Sequence, residues 1–143
     1  MRIAARESRP IPSDPVRVLR ALADPTRLRI VALLLHAKEV CGCDVEAVLG
    51  TTQSRASRHL ATLRAAGVTR DERRGPWVFC RIAPKPPAWL RSLLGAVHEA
   101  AREDPETRRM LERLAKVGRS PACADLRANG RTGSKSCRTG CCA

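Results

Sequence analysis

Aromatic residues are scarce in this chain of 143 residues, which has one Phe, two Trp and no Tyr. A hydrophobic core must therefore be built mainly from Leu, Val and Ala, which favours packed helices over a β-sandwich. Long apolar runs are also missing, since no stretch approaches the roughly 20 residues of a membrane-spanning helix. The N-terminal sequence MRIAARESRP lacks the apolar centre of a signal peptide. These absences predict a cytoplasmic protein with no membrane partner.

Acidic residues are also few compared with basic ones. The chain has 27 Lys and Arg residues against 14 Asp and Glu residues, a formal net charge of +13. Such an excess indicates a polyanionic partner, and nucleic acid is the polyanion that remains once a membrane is set aside. No Ser/His/Asp arrangement, phosphate-binding loop or carboxylate pair points to an enzyme. The composition therefore favours a nucleic-acid-binding protein.

Three segments of the chain differ in composition. Residues 1–12 contain two prolines and no periodicity, which predicts a flexible arm. Residues 13–117 show helical and extended patterns and form the predicted domain, a size that the chain length suits. Residues 118–143 are rich in Gly, Ser and Arg and poor in large apolar groups, which predicts a disordered tail. The tail contains Cys123, Cys137, Cys141 and Cys142.

Two helix starts are marked by an acidic residue followed by proline. Asp14-Pro15 and Asp24-Pro25 each combine a capping residue with a proline that the first turn tolerates. The second of these helices, TRLRIVALLLH, leaves so little polar surface that it is expected to be central. The first helix has an apolar stripe, which consists of Val16, Leu19, Leu22 and Ala23.

The stretch 40–67, VCGCDVEAVLGTTQSRASRHLATLRAAG, has a helix-turn-helix pattern. A short helix, with Asp44 as its predicted N-cap, is followed by a turn at 50–52 and by a longer helix with one polar and one apolar side. Gln and Arg can pair bidentately with purine edges, and Ser can reach a phosphate or a base. The predicted DNA contacts on the longer helix are Gln53, Ser54, Arg55, Ser57, Arg58 and His59.

Extended patterning follows Gly67. The segments VTRDERR and WVFCRI are typical of two strands joined by a turn at 75–76. A hairpin directly after a recognition helix is the wing of a winged helix, and its arginines would lie along phosphates. The alternative is a solvated hairpin with surface charges. The basic residues of the predicted wing are Arg70, Arg73, Arg74 and Arg81, of which Arg73 and Arg74 are expected to contact DNA.

Two further helices are predicted after the prolines of residues 84–87. One covers about residues 88–102, and the next begins at Asp104-Pro105. Their stripes are more apolar than a small winged helix needs for its own core. Together with the first helix, they are expected to form a homodimer interface. The residues expected between the two chains are Leu90, Leu93, Leu94 and Val97.

Cys41 and Cys43 are separated by one intervening residue and lie immediately before the DNA-reading unit. Seven cysteines, with no disulfide-like spacing, indicate reduced thiols that are available to metal. Thiolates are soft ligands, which select trivalent arsenic or antimony, copper(I), cadmium or zinc. Residues i and i+2 of an α-helix point about 200° apart, so both sulfurs could bind one atom only if this turn bends or unwinds. Cys80, inside a strand, is more simply a core residue.

Four segments together resemble the ArsR/SmtB family of metal-responsive winged-helix repressors. They are ALADPTRLRIVALLL, EVCGCDVEAVL, SRASRHLATLRAAGV and GPWVFCRI, within residues 15–117. The resemblance implies a winged helix-turn-helix, mainly α with a small β-hairpin. It also implies a homodimer, formed through the N- and C-terminal helices, that binds double-stranded operator DNA. The Cys-x-Cys pair is similar to that of the arsenic-sensing branch, which implies trivalent arsenic or antimony as the inducer that releases the repressor.

The chain departs from the arsenic-sensing pattern at one position. That branch usually has a third Cys three residues after the second, where this chain has Glu46. Trivalent arsenic is satisfied by three thiolates, and the tail could supply the third. The predicted metal ligands are Cys41, Cys43, Cys137, Cys141 and Cys142.

Other functions stay open on the sequence alone. A sensor of cadmium, lead or zinc with the same fold would use more thiolates, and a thiol redox sensor would release DNA on oxidation. A metal-carrying protein with incidental positive charge is a further alternative. The zinc-sensing branch uses paired His and acidic ligands on its C-terminal dimer helix, whereas His98 has Ala101 and Arg102 at the matching positions.

Overall fold

The computed structural model describes residues 14–74 and 77–117. The predicted arm and the tail cysteines, including Cys137, Cys141 and Cys142, lie outside these ranges. The order of elements is α1 (Pro15–Leu22), α2 (Pro25–Ala37), β1 (Glu39–Cys41), α3 (Gly42–Leu49), α4 (Gln53–Ala65), β2 (Thr69–Arg74), β3 (Trp77–Ile82), α5 (Ala88–Glu103) and α6 (Pro105–Val117). This is the predicted fold class, mainly α with a small antiparallel sheet.

The first two helices start where the sequence predicts. Asp14 caps α1 by accepting the N–H of Val16 over 3.1 Å. Asp24 caps α2 by accepting the N–H of Arg27 over 2.9 Å. Proline occupies the first turn of both helices, where its missing N–H costs no intrahelical hydrogen bond. Both predicted helix starts are therefore confirmed.

Helix α2 lies at the centre of the fold. Ile30, Val31 and Leu33 have no exposed surface, and the helix packs against α1, α4, α5, α6 and the sheet. Burial on most sides of the helix follows from its mainly apolar sequence, and Leu28 and His36 remain exposed. The predicted DNA-reading elements α3 and α4 contribute Val45, Val48, Ala56 and Leu63 to the same core.

The sheet has one strand more than the predicted hairpin. Its order is β1-β3-β2, and both neighbouring pairs are antiparallel. The added strand, β1, pairs Val40 with Cys80 and Cys41 with Phe79. Three residues are too few to show an alternating pattern, so only the pairing with β3 defines this strand. Because β1 ends at Cys41, the sheet connects the thiol pair to the wing.

The interior of α5 belongs to the core of the chain itself. Leu90 and Leu94 are 1% and 4% exposed and pack in the main hydrophobic cluster. The prediction that they lie between two chains is therefore wrong. Leu93 and Val97 are half-buried at the edge of the same cluster. None of the helices within the described ranges has the length and apolar character needed to cross a bilayer.

The predicted stripe on α1 divides between the core and the surface. Leu22 is buried, together with Val18 and Ala21. Val16 and Leu19 are each 54% exposed, because the core contacts one side of this short helix and they project from another. Two large apolar residues one helical turn apart are thus left uncovered by residues 14–74 and 77–117.

Candidate nucleic-acid interface and thiol site

Helices α3 and α4 form the helix-turn-helix. Helix α3 ends at Gly50, whose φ of 61° and ψ of 33° are left-handed, a conformation that costs glycine little. Thr52 then caps α4 by accepting the N–H of Arg55 over 3.4 Å. The turn between the helices therefore follows from one glycine and one capping threonine.

Helix α4 presents a polar face to solvent, as predicted. Ala56 and Leu63 are buried on its inner side, and Thr62 donates a hydrogen bond to the carbonyl oxygen of Arg58 over 3.0 Å. An exposed helix face with amide, hydroxyl and guanidinium groups can enter a major groove. The exposed residues of this face are Gln53, Ser54, Arg55, Ser57 and Arg58.

His59 has a different environment from the rest of the predicted reading face. It is half-buried, and it lies close to Asp24 at the start of α2. The pKa of Asp24 is lowered, chiefly because its carboxylate accepts the Arg27 N–H and to a smaller extent by the charge of His59. His59 therefore contributes to the junction of α4 with α1 and α2, and its contact with DNA stays a prediction.

The arginines of the wing divide into two classes. Arg70 and Arg73 are exposed. Arg74 instead forms a bidentate ion pair with Glu39, with Nη1–Oε1 and Nη2–Oε2 distances of 3.1 and 3.0 Å, and Arg81 pairs with Glu72. Arg73 thus retains the accessible charge expected of a phosphate contact, whereas the guanidinium of the half-buried Arg74 is engaged by Glu39, and its contact with DNA stays a prediction.

Cys41 and Cys43 lie on two sides of a strand–helix junction. Cys41 is the last residue of β1 and the N-cap of α3, with an extended backbone at φ −92° and ψ 165°. Cys43 lies in the first turn of α3. Asp44, the predicted N-cap, instead lies in that first turn, so this prediction is wrong. The 200° argument for residues of one helix does not apply, because only one of the cysteines is helical.

The junction is held by a capping box between Cys41 and Asp44. Asp44 Oδ2 accepts the backbone N–H of Cys41 over 3.2 Å, and the carboxylate is placed where a helix N-terminus favours negative charge. Cys41 has no exposed surface, and Cys43 is half-buried. An inducer can therefore reach the Cys41 sulfur from solvent only if the structure around the end of β1 or the first turn of α3 opens.

A cavity of about 280 Å³ lies between α3, α4 and the wing strands, and Glu46 and Cys80 contribute to its lining. Glu46 Oε1 is buried and has no hydrogen-bond partner among the described residues. Burial raises the pKa of the Cys80 thiol to about 12, so this cysteine stays protonated at neutral pH. The expectation that Cys80 is a core residue is confirmed by its 3% exposure.

Two ion pairs that the sequence did not indicate connect this region. Arg64 of α4 pairs with Asp71 of β2, joining the recognition helix to the wing. Arg74 of β2 pairs with Glu39, joining the wing to β1. Neither pair has a local sequence signature, because its partners come together only when the sheet forms. Within residues 14–74 and 77–117, no three His, Cys, Asp or Glu side chains are grouped closely enough to hold a metal ion.

Comparison with known sequences identifies the class of regulator. Residues 24–69, which span the helix-turn-helix, match the model of the arsR family of bacterial regulatory proteins. A relative from Pseudomonas putida, the arsenic resistance transcriptional regulator ArsR1, is 38% identical over 112 residues, 77% of this chain and 88% of the relative. The chain belongs to the arsR family. It is thus a helix-turn-helix transcriptional regulator, as the resemblance implied.

Two other relatives show the range of names within this family. The arsenical resistance operon repressor of Escherichia coli is 42% identical over 80 residues, 56% of this chain and 68% of the relative. A Staphylococcus aureus homologue of the cadmium resistance regulatory protein CadC is 34% identical over 68 residues, 48% of this chain and 56% of the relative.

Proposed function

We propose that this chain is a cytoplasmic, homodimeric repressor that binds operator DNA and releases it when trivalent arsenic or antimony binds its cysteine thiolates. The observation that carries the proposal is the position of Cys41 and Cys43 at the junction between a strand of the wing sheet and the first helix of the reading unit. The names of the Pseudomonas and Escherichia coli relatives, an arsenic resistance regulator and an arsenical resistance repressor, support it.

Operator recognition is assigned to α4 and the wing. The exposed residues at the N-terminal end of α4, including Gln53 and Arg58, can reach base edges. Arg73 supplies a phosphate contact from the wing. A net charge of +13 adds sequence-independent attraction to the duplex.

Release is assigned to the junction between β1 and α3. The thiol pair suits soft trivalent metalloids, and Cys41 is inaccessible while the capping box is intact. Ligation by both sulfurs therefore favours a rearranged junction over the one that supports α3. A change from about 99% to about 1% of DNA-competent protein needs a differential binding free energy of about 5.5 kcal/mol, which two or three thiolate bonds could supply.

The third thiolate is proposed to come from Cys137, Cys141 or Cys142. In the described part of the chain, Glu46 stands where the related pattern has a third cysteine, and Cys80 is a protonated core residue. The tail therefore offers thiols that the junction itself lacks. A ligand from the tail would change the affinity and selectivity for the inducer, whereas inducer binding at Cys41 and Cys43 would cause operator release.

The proposed dimer uses the uncovered apolar surface of α1, α2 and α5. Val16 and Leu19 are 54% exposed, and Trp89 is 37% exposed. A cavity of about 520 Å³, lined in part by Leu28 and Val97, also opens between α2 and α5. Exposed apolar area of this kind marks association sites. A dimer also places two recognition helices on the two half-sites of an operator.

The test measures release of fluorescent operator DNA against arsenite, with excess reductant present. Cys41→Ser and Cys43→Ser should keep operator affinity and lose release. A chain cut after Val117 should keep repression and respond more weakly or with altered selectivity. Cys80→Ala is the control for loss of a thiol elsewhere. Normal release from the Cys41→Ser, Cys43→Ser double variant would place the sensor outside the junction.

Cadmium is a second candidate inducer, because a relative with 34% identity carries the name of a cadmium resistance regulator. The same titration with cadmium, zinc and antimonite distinguishes the two. Release by cadmium at lower concentration than by arsenite would favour the second candidate. Excess reductant excludes oxidation as the cause of release in every titration.

A further inference from the structure

The two faces of the small sheet are buried in different ways. Val40 and Cys80, which are paired, belong to the main hydrophobic core. Because side chains alternate along a strand, the next pair, Cys41 and Phe79, lies on the opposite face. Both residues of that pair have no exposed surface. The thiol of Cys41 therefore shares a covered face of the sheet with Phe79.

The side chain of Arg74 lies across this second face. Its guanidinium carbon is 4.8 Å from the centroid of the Phe79 ring. Beyond the ring it reaches Glu39 in β1, with Nη1–Oε1 and Nη2–Oε2 distances of 3.1 and 3.0 Å. A bidentate pair of this kind fixes the orientation of the guanidinium as well as its distance. Arg74 thus ties the end of the first wing strand to β1.

Glu39 and Cys41 are two residues apart in a strand of only three residues. A displacement of β1 that brings the Cys41 sulfur out of burial must therefore move the Glu39 carboxylate as well. Arg74 precedes the turn of the wing hairpin, and its Nε also donates to Glu72 Oε1 over 3.1 Å within β2. Loss of the Glu39 partner therefore removes the side-chain tie between β2 and β1, whereas the backbone pairing of β1 with β3 remains. The position of the wing and the accessibility of Cys41 are consequently linked.

We propose that the Glu39–Arg74 pair transmits the state of the cysteine site to the wing, an inference that rests on the proposed function. Both are assigned as positioning residues, because the Arg74 guanidinium is engaged by Glu39 and Phe79 and neither side chain carries a thiol. Coupling between two sites is reciprocal. If inducer binding at Cys41 weakens operator binding through this pair, then operator binding must also protect Cys41 through it.

The first experiment compares operator affinity with and without arsenite in Glu39→Gln, Arg74→Gln and the double variant. Arg73→Gln is the matched control, since Arg73 is exposed and forms no ion pair among the described residues. Each of these three variants should still bind arsenite. The ratio of operator affinity without arsenite to operator affinity with arsenite should fall by about tenfold. The double variant should lose no more than either single variant, because the two residues act as one unit. Arg73→Gln should weaken operator binding in both states and leave the ratio unchanged.

The second experiment needs no arsenite. Alkylation of Cys41 in the full chain by iodoacetamide is followed peptide by peptide, with and without operator DNA. Operator should slow alkylation in the wild type and in Arg73→Gln, and this protection should be lost in Glu39→Gln. If operator protects Cys41 from alkylation in the wild type but arsenite does not release operator, the proposed function is overturned and the coupling through Glu39 and Arg74 is retained. Full protection and an unchanged affinity ratio in Glu39→Gln would overturn the link.

Discussion

The backbone N–H of Cys41 donates a hydrogen bond to Oδ2 of Asp44 over 3.2 Å. Asp44 is 5% exposed, so the hydrogen bond forms in a buried environment with little competition from water. The residue proposed to bind the inducer is thus held by the first turn of the helix that begins the reading unit. In the proposed mechanism, breaking this capping box favours a conformation in which both thiols are accessible.

Replacing Asp44 by Ala should destabilise the protein and sensitise the switch. The buried Cys41 N–H would lose this acceptor, and a buried donor without its partner typically costs about 1–3 kcal/mol. The variant should therefore unfold at lower urea concentration and release operator at lower arsenite concentration. Asp14→Ala is the control, because it removes an exposed cap from α1 and should leave the arsenite response unchanged. Equal responses of the two variants would contradict the role of Asp44.

Replacing Arg58 by Ala should reduce both the affinity and the specificity of DNA binding. A guanidinium that reads a base edge contributes about 1–3 kcal/mol of discrimination. Arg73→Ala should instead weaken binding to operator and to random DNA about equally, because a phosphate contact carries no sequence information. Anisotropy titrations on both DNAs at several salt concentrations measure the difference. Unchanged specific affinity in Arg58→Ala would show that α4 is placed wrongly on DNA.

Local signals were sufficient to predict most of the fold. The Asp-Pro pairs mark the starts of α1 and α2 because capping and the first-turn proline act within a few residues. The two faces of α4 follow from helical periodicity. The burial of Leu90 and Leu94 could not be predicted in this way. Periodicity shows that a face is apolar, but it does not show whether the covering surface belongs to the same chain.

The thiol pair was found from sequence, but its conformation was not. The hydrogen-bonding partner of β1 is β3, almost 40 residues later in the chain, so no local pattern reveals that Cys41 lies in a strand. Glu39 and Arg74 are separated by 35 residues in the same way. From its neighbouring residues alone, each of the two is predicted to be an exposed charged side chain. Only the register of the sheet brings them together across Phe79.

The proposed dimer surface can be tested by placing charge on α1. Leu19→Glu should give monomers that remain folded, because Leu19 is 54% exposed. Operator affinity should fall steeply, because the single recognition helix of a monomer contacts only one half-site. Leu94→Glu should instead unfold the chain, because Leu94 lies in the core. Sedimentation and circular dichroism of both variants separate these outcomes, and a wild type that is monomeric at micromolar concentration would contradict the proposed dimer.

The buried thiol of Cys80 should make stability fall at high pH. Burial raises its pKa to about 12 from the ordinary value of 9.0, so the native state retains a proton that the unfolded chain loses. The stabilisation is complete below the unfolded pKa and is lost as the pH rises towards the folded one. Between about pH 8 and about pH 10, the difference in unfolding free energy between the wild type and Cys80→Ala should therefore shrink by on the order of 1 kcal/mol. A difference independent of pH would contradict this assignment.

Replacing Glu46 by Cys should restore a third thiol close to the junction. Glu46 follows Cys43 by one helical turn, and its Oε1 is buried without a hydrogen-bond partner in the described part of the chain. The substitution therefore removes a poorly solvated carboxylate oxygen and adds a soft donor. The substitution is best tested in the chain cut after Val117, in which no tail thiol competes with the introduced thiol for the inducer. A third ligand on the same helix should lower the arsenite concentration for half-release by at least about tenfold. Glu46→Ser, which has similar size and no thiol, is the control, and equal responses of the two variants would show that Glu46 does not face the inducer site.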